Sequence, residues 1–323
     1  GGEHLFGKLD TRWSVNYAKA SEERPNERYI DYQLKKQKFN MDLSDERKPL
    51  LTPQEGSTMY LNDDFSLKEV TEQQEDIQEK DFKFKLDFSL PLTKGEFGNH
   101  LRFGAKVVHK TKDKEIDFYE YTPLDEEGFD KASLAAAVDQ NRDGYIPGDQ
   151  YKVGSFVSKE YLGSLDLNNA SLFEKEQVQE ELATNFKAKE TVAAGYLRFD
   201  QKLGKKWDLM LGLRLENTHV KYSDADEEKT TRTPYESDSY LNVLPSVLVK
   251  YDVNDDFKVR ASFTNTIARP KYSALAPNIT IKRSDNEISL GNPGLKPTLS
   301  YNFDLSGEYY FKSIGLVSAG IFY

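Results

Sequence analysis

The chain has 323 residues, 37% of them hydrophobic and 30% charged, with a formal net charge of −10 and no cysteine. Disulfides and thiolate metal sites are excluded, no apolar run reaches the length of a membrane helix, and no basic block is present to neutralise nucleic-acid phosphates. A membrane-spanning barrel stays open, because its strands carry apolar residues only at alternate positions.

Period-two alternation recurs along the whole chain, and it predicts strands with one apolar and one polar face. The first is Trp13, Val15 and Tyr17. In "DFKFKLDFSL", Phe82, Phe84, Leu86, Phe88 and Leu90 share a face opposite Lys83, Lys85 and Asp87. "LRFGAKV" follows with Leu101, Phe103, Ala105 and Val107 against Arg102 and Lys106. Next come Gly195, Leu197, Phe199 and Leu203, then Trp207, Leu209, Leu211, Leu213 and Leu215 against Asp208, Arg214 and Glu216. Val247, Val249, Tyr251 and Val253 form the sixth set; Phe257, Val259, Ala261 and Phe263, against Lys258, Arg260 and Ser262, form the seventh. Tyr301, Phe303, Leu305, Tyr309 and Phe311 give the eighth, and "VSAGIFY" the ninth. The period-two rule therefore yields about nine strands.

The connections alternate in length. "TKGEFG", "GKK", "NDD" and "KSIG" are short enough for tight hairpins. The other four are long: Lys19 to Lys80, Thr111 to Glu190, Thr218 to Tyr240 and Ile267 to Ser300. Short turns at one end and long loops at the other are the pattern of an antiparallel up-and-down outer-membrane barrel, and a soluble sandwich has no reason to adopt it. Trp207, just after a short turn, stands where an aromatic girdle would lie. The polar faces carry both signs of charge, which suits a wet lumen; Arg102, Lys106, Arg214 and Arg260 are expected to form a ladder there with Asp208 and Glu216.

Within the long connections, Val178, Leu182 and Phe186 lie at helical spacing after Ser171 as an N-cap, which predicts a short amphipathic helix. The acidic stretch Asn62 to Asp81 is expected to be a solvated loop. "FDKASLAAAV" reads as helical and leads into "DQNRDGYIPGDQ". There Asp139, Asn141 and Asp143 take positions 1, 3 and 5 of a calcium loop, Gly144 position 6 and the Tyr145 carbonyl position 7. Gln150 stands at position 12 in place of the usual bidentate Glu, so the competing reading is a plain Asx-rich surface turn. His4, His100, His109 and His219 show no ligand spacing, and no nucleophile, Walker or zinc-protease motif occurs, so an enzyme is not expected. "NAS" at Asn169 and "NIT" at Asn278 match a glycosylation sequon too short to carry weight.

The loop "NTIARPKYSALAP", Asn265 to Pro277, precedes "LGNPGLKPTLSYNFDLSGEYYF", Leu290 to Phe311. This pairing of "ARP" with "NPGLKP" and an aromatic strand resembles the C-terminal barrel of TonB-dependent outer-membrane receptors. "VNYAKASEERPNERYI", Val15 to Ile30, is similar to that family in its Bacteroidetes style. Pro270, Pro293 and Pro297 would stop the ladder and stiffen a loop returning to the rim. The resemblance implies a barrel of roughly 22 strands with a plugged lumen, residing in the cell outer membrane among its lipids. It implies import of a scarce nutrient with energy supplied through the TonB system. On this reading residues 1–323 are part of a single barrel domain, and the plug, the TonB-contacting region and the terminal strands lie outside the chain. The competing class is a soluble β-sandwich or adhesin-type module with a calcium-stiffened loop; a carboxylate hydrolase on a β scaffold is a third. The ligand itself is left open.

Overall fold

A computed structural model describes residues 1–55, 65–93, 98–139, 155–182, 184–223, 236–276, 279–282, 286–311 and 315–323. The chain begins with β1 (Gly2–Phe6), β2 (Leu9–Gln33), β3 (Phe39–Asp42), β4 (Leu50–Pro53), β5 (Ser66–Pro91) and β6 (His100–Pro123). It continues through α1 (Glu126–Ala135), β7 (Ala137–Asp139), β8 (Ser155–Val157), α2 (Lys159–Ser164), β9 (Phe173–Gln177) and α3 (Gln179–Leu182). The rest comprises β10 (Phe186–Leu203), β11 (Trp207–Ser223), β12 (Glu236–Asp252), β13 (Phe257–Ala268), α4 (Tyr272–Leu275), β14 (Ile279–Lys282), β15 (Glu287–Leu290), β16 (Thr298–Phe311) and β17 (Gly315–Phe322).

All nine strands expected from alternation lie on one 11-stranded sheet, ordered β1-β2-β5-β6-β10-β11-β12-β13-β16-β17, with β9 attached to β6. Every pair with a described register is antiparallel. Two strands escaped the sequence reading. β1 is too short to show a period, and it turns into β2 through Gly7, whose φ of 64° suits a residue without Cβ. β9 occupies the segment expected to be a helix. Of that helix only α3 forms; Phe173–Gln177 pairs with Tyr119–Pro123, Ser171 sits in a turn, and Phe186 opens β10. The segment satisfies its backbone on the exposed ladder of β6 over those five residues, and this outweighs a weak helical period.

The acidic stretch before Asp81 is corrected too. From Ser66 onward it is part of β5, with Val70, Thr71, Glu72 and Glu75 buried.

The chain divides into two compact units. The first comprises Gly1–Glu22, Asp76–Glu115 and Ala183–Tyr323. Its hairpins are tight: Leu203 pairs with Trp207 across a turn containing Gly204 at φ 65°, and the Asn254 side chain accepts the Asp256 and Phe257 amides at 3.0 and 2.7 Å. Along β10 and β11 the even-numbered residues are covered while the odd-numbered ones mostly face out. Leu211, Leu213 and Leu215 are thus 42–45% exposed, while Glu216, Thr218, Val220 and Tyr222 are buried. Apolar side chains out and polar ones in is the inverse of a soluble protein. Trp207 stacks near Tyr251 (centroids 4.3 Å apart) and Tyr309 meets Phe311 at 4.8 Å, so the aromatic girdle expected at the turn end is present.

The second unit comprises Glu23–Glu75 and Ile116–Leu182. It has a small conventional core of Val70, Tyr121, Leu167 and Phe173, with Phe129 of α1 edge-on to Phe173 at 5.8 Å. Asp125 caps α1 by accepting the Gly128 amide, and Ser158 caps α2 by accepting that of Tyr161. Arg28 holds this unit together: its Nε donates to Glu72 Oε2 at 2.7 Å, and Nη1 donates to the carbonyls of Leu162 and Leu165 at 3.1 and 3.0 Å.

Because Arg28 and Glu72 are only 18% and 8% exposed, removing one partner leaves the other charged and buried. Glu72→Leu should destabilise this unit by about 3 kcal/mol, raising its open population on the order of 100-fold. Protease cleavage between residues 155 and 182 should accelerate in proportion. The double variant Arg28→Met/Glu72→Leu should restore most of the protection, and a double variant as sensitive as the single one would contradict the ion-pair account.

Candidate functional site

The inner face of the first unit is a ladder of charges, as the polar face of the sequence foreshadowed, but with different partners. Arg102 and Arg198 both reach Asp200 (3.3 and 2.7 Å), Lys250 bridges Asp208 and Asp252 (3.2 and 3.1 Å), and Arg260 grips Glu308 with two bonds of 3.0 and 3.1 Å. Arg214 pairs with Glu216 at 2.7 Å. Asp208 therefore serves a lysine, and Lys106 has no ion-pair partner among the described residues. Most of these pairs join neighbouring strands or next-but-one positions on a strand, where Cβ atoms come close enough to meet. Arg102, Arg198, Asp200, Asp208, Lys250 and Arg260 line a cavity of about 710 Å³ toward the turn end, each of them engaged in an ion pair.

The loop end is different. β13 stops at Ala268, Arg269 turns inward, and Pro270 cannot continue the ladder. Arg269 Nη2 donates to Glu216 Oε2 at 2.6 Å and to Thr218 Oγ1 at 3.0 Å. Glu216 thereby joins Arg214 and Arg269. The following α4 lies on the inner face: Tyr272 packs with Phe186, Ala188 and Ala276, and with Val220, Tyr222 and Leu275. The return segment is pinned as well, since Tyr222 Oη donates to the Pro293 carbonyl at 3.4 Å and the Asn292 amide to the Ala274 carbonyl at 2.8 Å. The "ARP" and "NPGLKP" segments thus strap the loop across the inner wall, where the prolines had suggested only a stiffened loop returning to the rim.

Two cavities of about 210 and 440 Å³ flank this strap. Together they are lined by Lys83, Lys106, Lys110, Lys112, Arg214, Arg269 and Lys271, against only Glu190 and Glu216. Four of the seven are paired, Lys83 with Asp81, Lys112 with Glu79, and Arg214 and Arg269 with Glu216, which leaves Lys106, Lys110 and Lys271 without a carboxylate partner among the described residues and gives a local positive excess in a chain of net charge −10. Lys110 and Lys106 have no carboxylate partner among the described residues, so both amines are available to a ligand. Burial would lower the Arg269 guanidinium, but its hydrogen bond to Glu216 more than offsets this and its pKa is raised, so it stays charged. Burial, followed by the Glu190 carboxylate beside it, pushes the Tyr272 phenol well above its usual range.

Sequence reasoning found Arg214 and Glu216 but missed Arg269, Tyr272, Lys110 and Glu190 as a group. Lys110 and Glu190 sit in segments read as loop boundary, and no periodicity could bring Arg269 to Glu216. The calcium motif falls almost wholly outside the described residues: Asn141, Asp143, Tyr145 and Gln150 are not described, and only the backbone of Asp139, paired with Ser155, is. No cluster of three or more potential metal ligands occurs among the described residues.

The model of the outer membrane protein beta-barrel family matches residues 162–323. The chain belongs to that family: it is an antiparallel β-barrel protein of the outer membrane, not a soluble sandwich. No helix of the described residues is long and apolar enough to cross a membrane, and the strands carry that role. Among solved structures it is similar to the ferric-catecholate import receptor Fiu of E. coli K12, at 11% identity and TM-score 0.54, over 99% of this chain and 39% of that one. It is likewise similar to P. aeruginosa FpvA bound to a heterologous pyoverdine (14%, TM-score 0.51, 99% and 31%) and to the siderophore receptor PiuA of Acinetobacter baumannii (13%, 0.51, 99% and 38%). The chain thus spans less than two fifths of the length of these receptors, and likeness at such identity is one of fold. No curated protein matches it.

The Tyr272 shift has a definite sign. A phenol whose pKa is raised by folding is held neutral, so its contribution is fully present below the unfolded value of about 10 and is lost as pH rises beyond it. Thermal stability of the wild type should therefore fall above about pH 10 more steeply than that of Tyr272→Phe. Parallel melting curves across this range would contradict the buried neutral phenol.

Proposed function

We propose that this chain is the wall segment of an outer-membrane receptor that binds a scarce anionic nutrient at the loop end of its inner face and imports it. The observation that carries the reading is the cationic pair of cavities beside the α4 strap, with Lys110 and Lys106 unengaged by carboxylates among the described residues. An ion-paired wall needs no ligand; one with unpaired amines attracts an anion. Family membership supports the outer-membrane setting, and Fiu, an import receptor, and PiuA, a siderophore receptor, share the fold, which supports binding and transport over catalysis. On this reading the energy comes from the TonB system through a region outside this chain, as does the remainder of the barrel.

The test is growth of the host on single sources of anionic nutrients, comparing the parent with strains lacking the full receptor or the energising partner. Both deletions should produce the same defect on one source. Lys110→Ala in the full receptor should raise the half-saturating concentration for that source about tenfold with maximal uptake unchanged, the loss of one charged hydrogen bond. A source-independent defect, or an unchanged half-saturation, would sink the reading.

We propose also that the loop beginning at Asp139 takes calcium. Its residue spacing supports this, and the pairing of Asp139 with Ser155 brings the two ends of the intervening loop together. Binding should be weak, on the order of 10⁻⁴ to 10⁻³ M, because the position-12 carboxylate is replaced by Gln150. Calorimetry of the full receptor should show heat at millimolar calcium that Asp143→Ala abolishes; no heat, or equal heat, returns the loop to a plain turn.

A further inference from the structure

The outward face of β6, β10, β11 and β12 can be read row by row from the register. From the Trp207–Tyr251 row to the Asn217–Leu241 row it is almost wholly apolar. That climb covers about 23 Å along the membrane normal at ~3.3 Å per residue and a tilt of ~45°, which is the height of a barrel's lipid band. The next row is polar across four strands, with His109 opposite Thr191, Thr191 opposite His219, and His219 opposite Ser239. His109 Nδ1 lies 2.9 Å from Thr191 Oγ1 and His219 Nδ1 lies 2.7 Å from Ser239 Oγ. Where Nδ1 accepts the hydroxyl proton, Nε2 carries the ring N–H and can donate it elsewhere.

Directly above, Lys189 and Lys221 are cross-strand partners, and both are exposed on this outward face. Like charges placed directly opposite destabilise a sheet. One row further on, Lys187 has Asp113 at 3.5 Å to balance it, but neither Lys189 nor Lys221 has a carboxylate partner among the described residues. Two unbalanced ammonium groups therefore stand at headgroup height, over a row of hydrogen-bonding side chains, on a surface whose lower part is in lipid.

We infer that this rim patch docks the phosphate headgroup of an anionic lipid of the outer leaflet. The phosphate sits between Lys189 and Lys221 and relieves their repulsion. Its acyl chains run down the apolar rows below, and the imidazole row meets the polar linker of the headgroup. Charge complementarity and continuity with the lipid-facing band select a lipid over a soluble anion. The site lies on the opposite face of the sheet from the cationic cavities and is independent of the ligand assigned to them.

The full receptor would be reconstituted in phosphatidylcholine nanodiscs with or without phosphatidic acid, and bound lipid counted by native mass spectrometry after release. Wild type should retain phosphatidic acid. Lys189→Gln/Lys221→Gln should retain about thirtyfold less, since each lysine contributes separately to attraction to an anionic headgroup. Lys85→Gln, on the inner face, should retain the wild-type amount. Lys189→Glu creates an opposite-charge pair with Lys221, so it should lose the lipid and yet melt higher than wild type in phosphatidylcholine alone; this arm shows that lipid loss does not come from misfolding. Equal retention by wild type and the double variant would overturn the inference. So would equal loss in Lys85→Gln, or displacement of the lipid by inorganic phosphate at low millimolar concentration, which would mark a general anion site.

Discussion

The interaction on which the structure depends is the antiparallel backbone ladder. In a bilayer no water is available to an unpaired amide or carbonyl, so each strand must find its partners in its neighbours. Registers such as that of β10 with β11, unbroken from Lys187–Ser223 to Leu203–Trp207, meet this requirement. Once the ladder is fixed, side chains have only two directions available. Leu211, Leu213 and Leu215 go to lipid, while Arg214, Glu216 and Thr218 go inward. Both the cationic recess and the outward lysine pair are consequences of that division.

The inner wall shows how charge is managed when it cannot be left to water. Toward the turn end, acids and bases are matched strand by strand, and such pairs hold the wall without inviting a ligand. Toward the loop end Lys106, Lys110 and Lys271 lack a carboxylate partner among the described residues, and there the chain lays α4 over the wall, with Arg269 tied to Glu216 and Tyr272 half-buried against residues of β10 and β11. Burying a guanidinium is tolerated because the carboxylate and the Thr218 hydroxyl satisfy it. The unpaired lysines beside this fixed strap are what the proposed ligand site rests on.

What the sequence by itself determined is everything that follows from a period of two: the nine long strands, the side each residue faces, the tight hairpins and the girdle at Trp207. The alternation reads cleanly there because lipid and lumen impose opposite chemistry on successive residues. Where that contrast ends, the sequence goes silent although the ladder continues. β5 begins at Ser66 and β6 runs to Pro123, yet both were read as loop in those parts, because polar residues on both faces leave no period to detect. At β9 the signal misleads instead: Val178, Leu182 and Phe186 stand at helical spacing, and pairing with β6 outweighs it. Only the tertiary structure decided that Arg269 meets Glu216, that α4 folds onto the wall, and that Lys189 stands opposite Lys221. The first two join residues far apart in sequence across a loop, and the third requires a register; pairings between strands are set by the closed accounting of backbone hydrogen bonds, which no single segment contains.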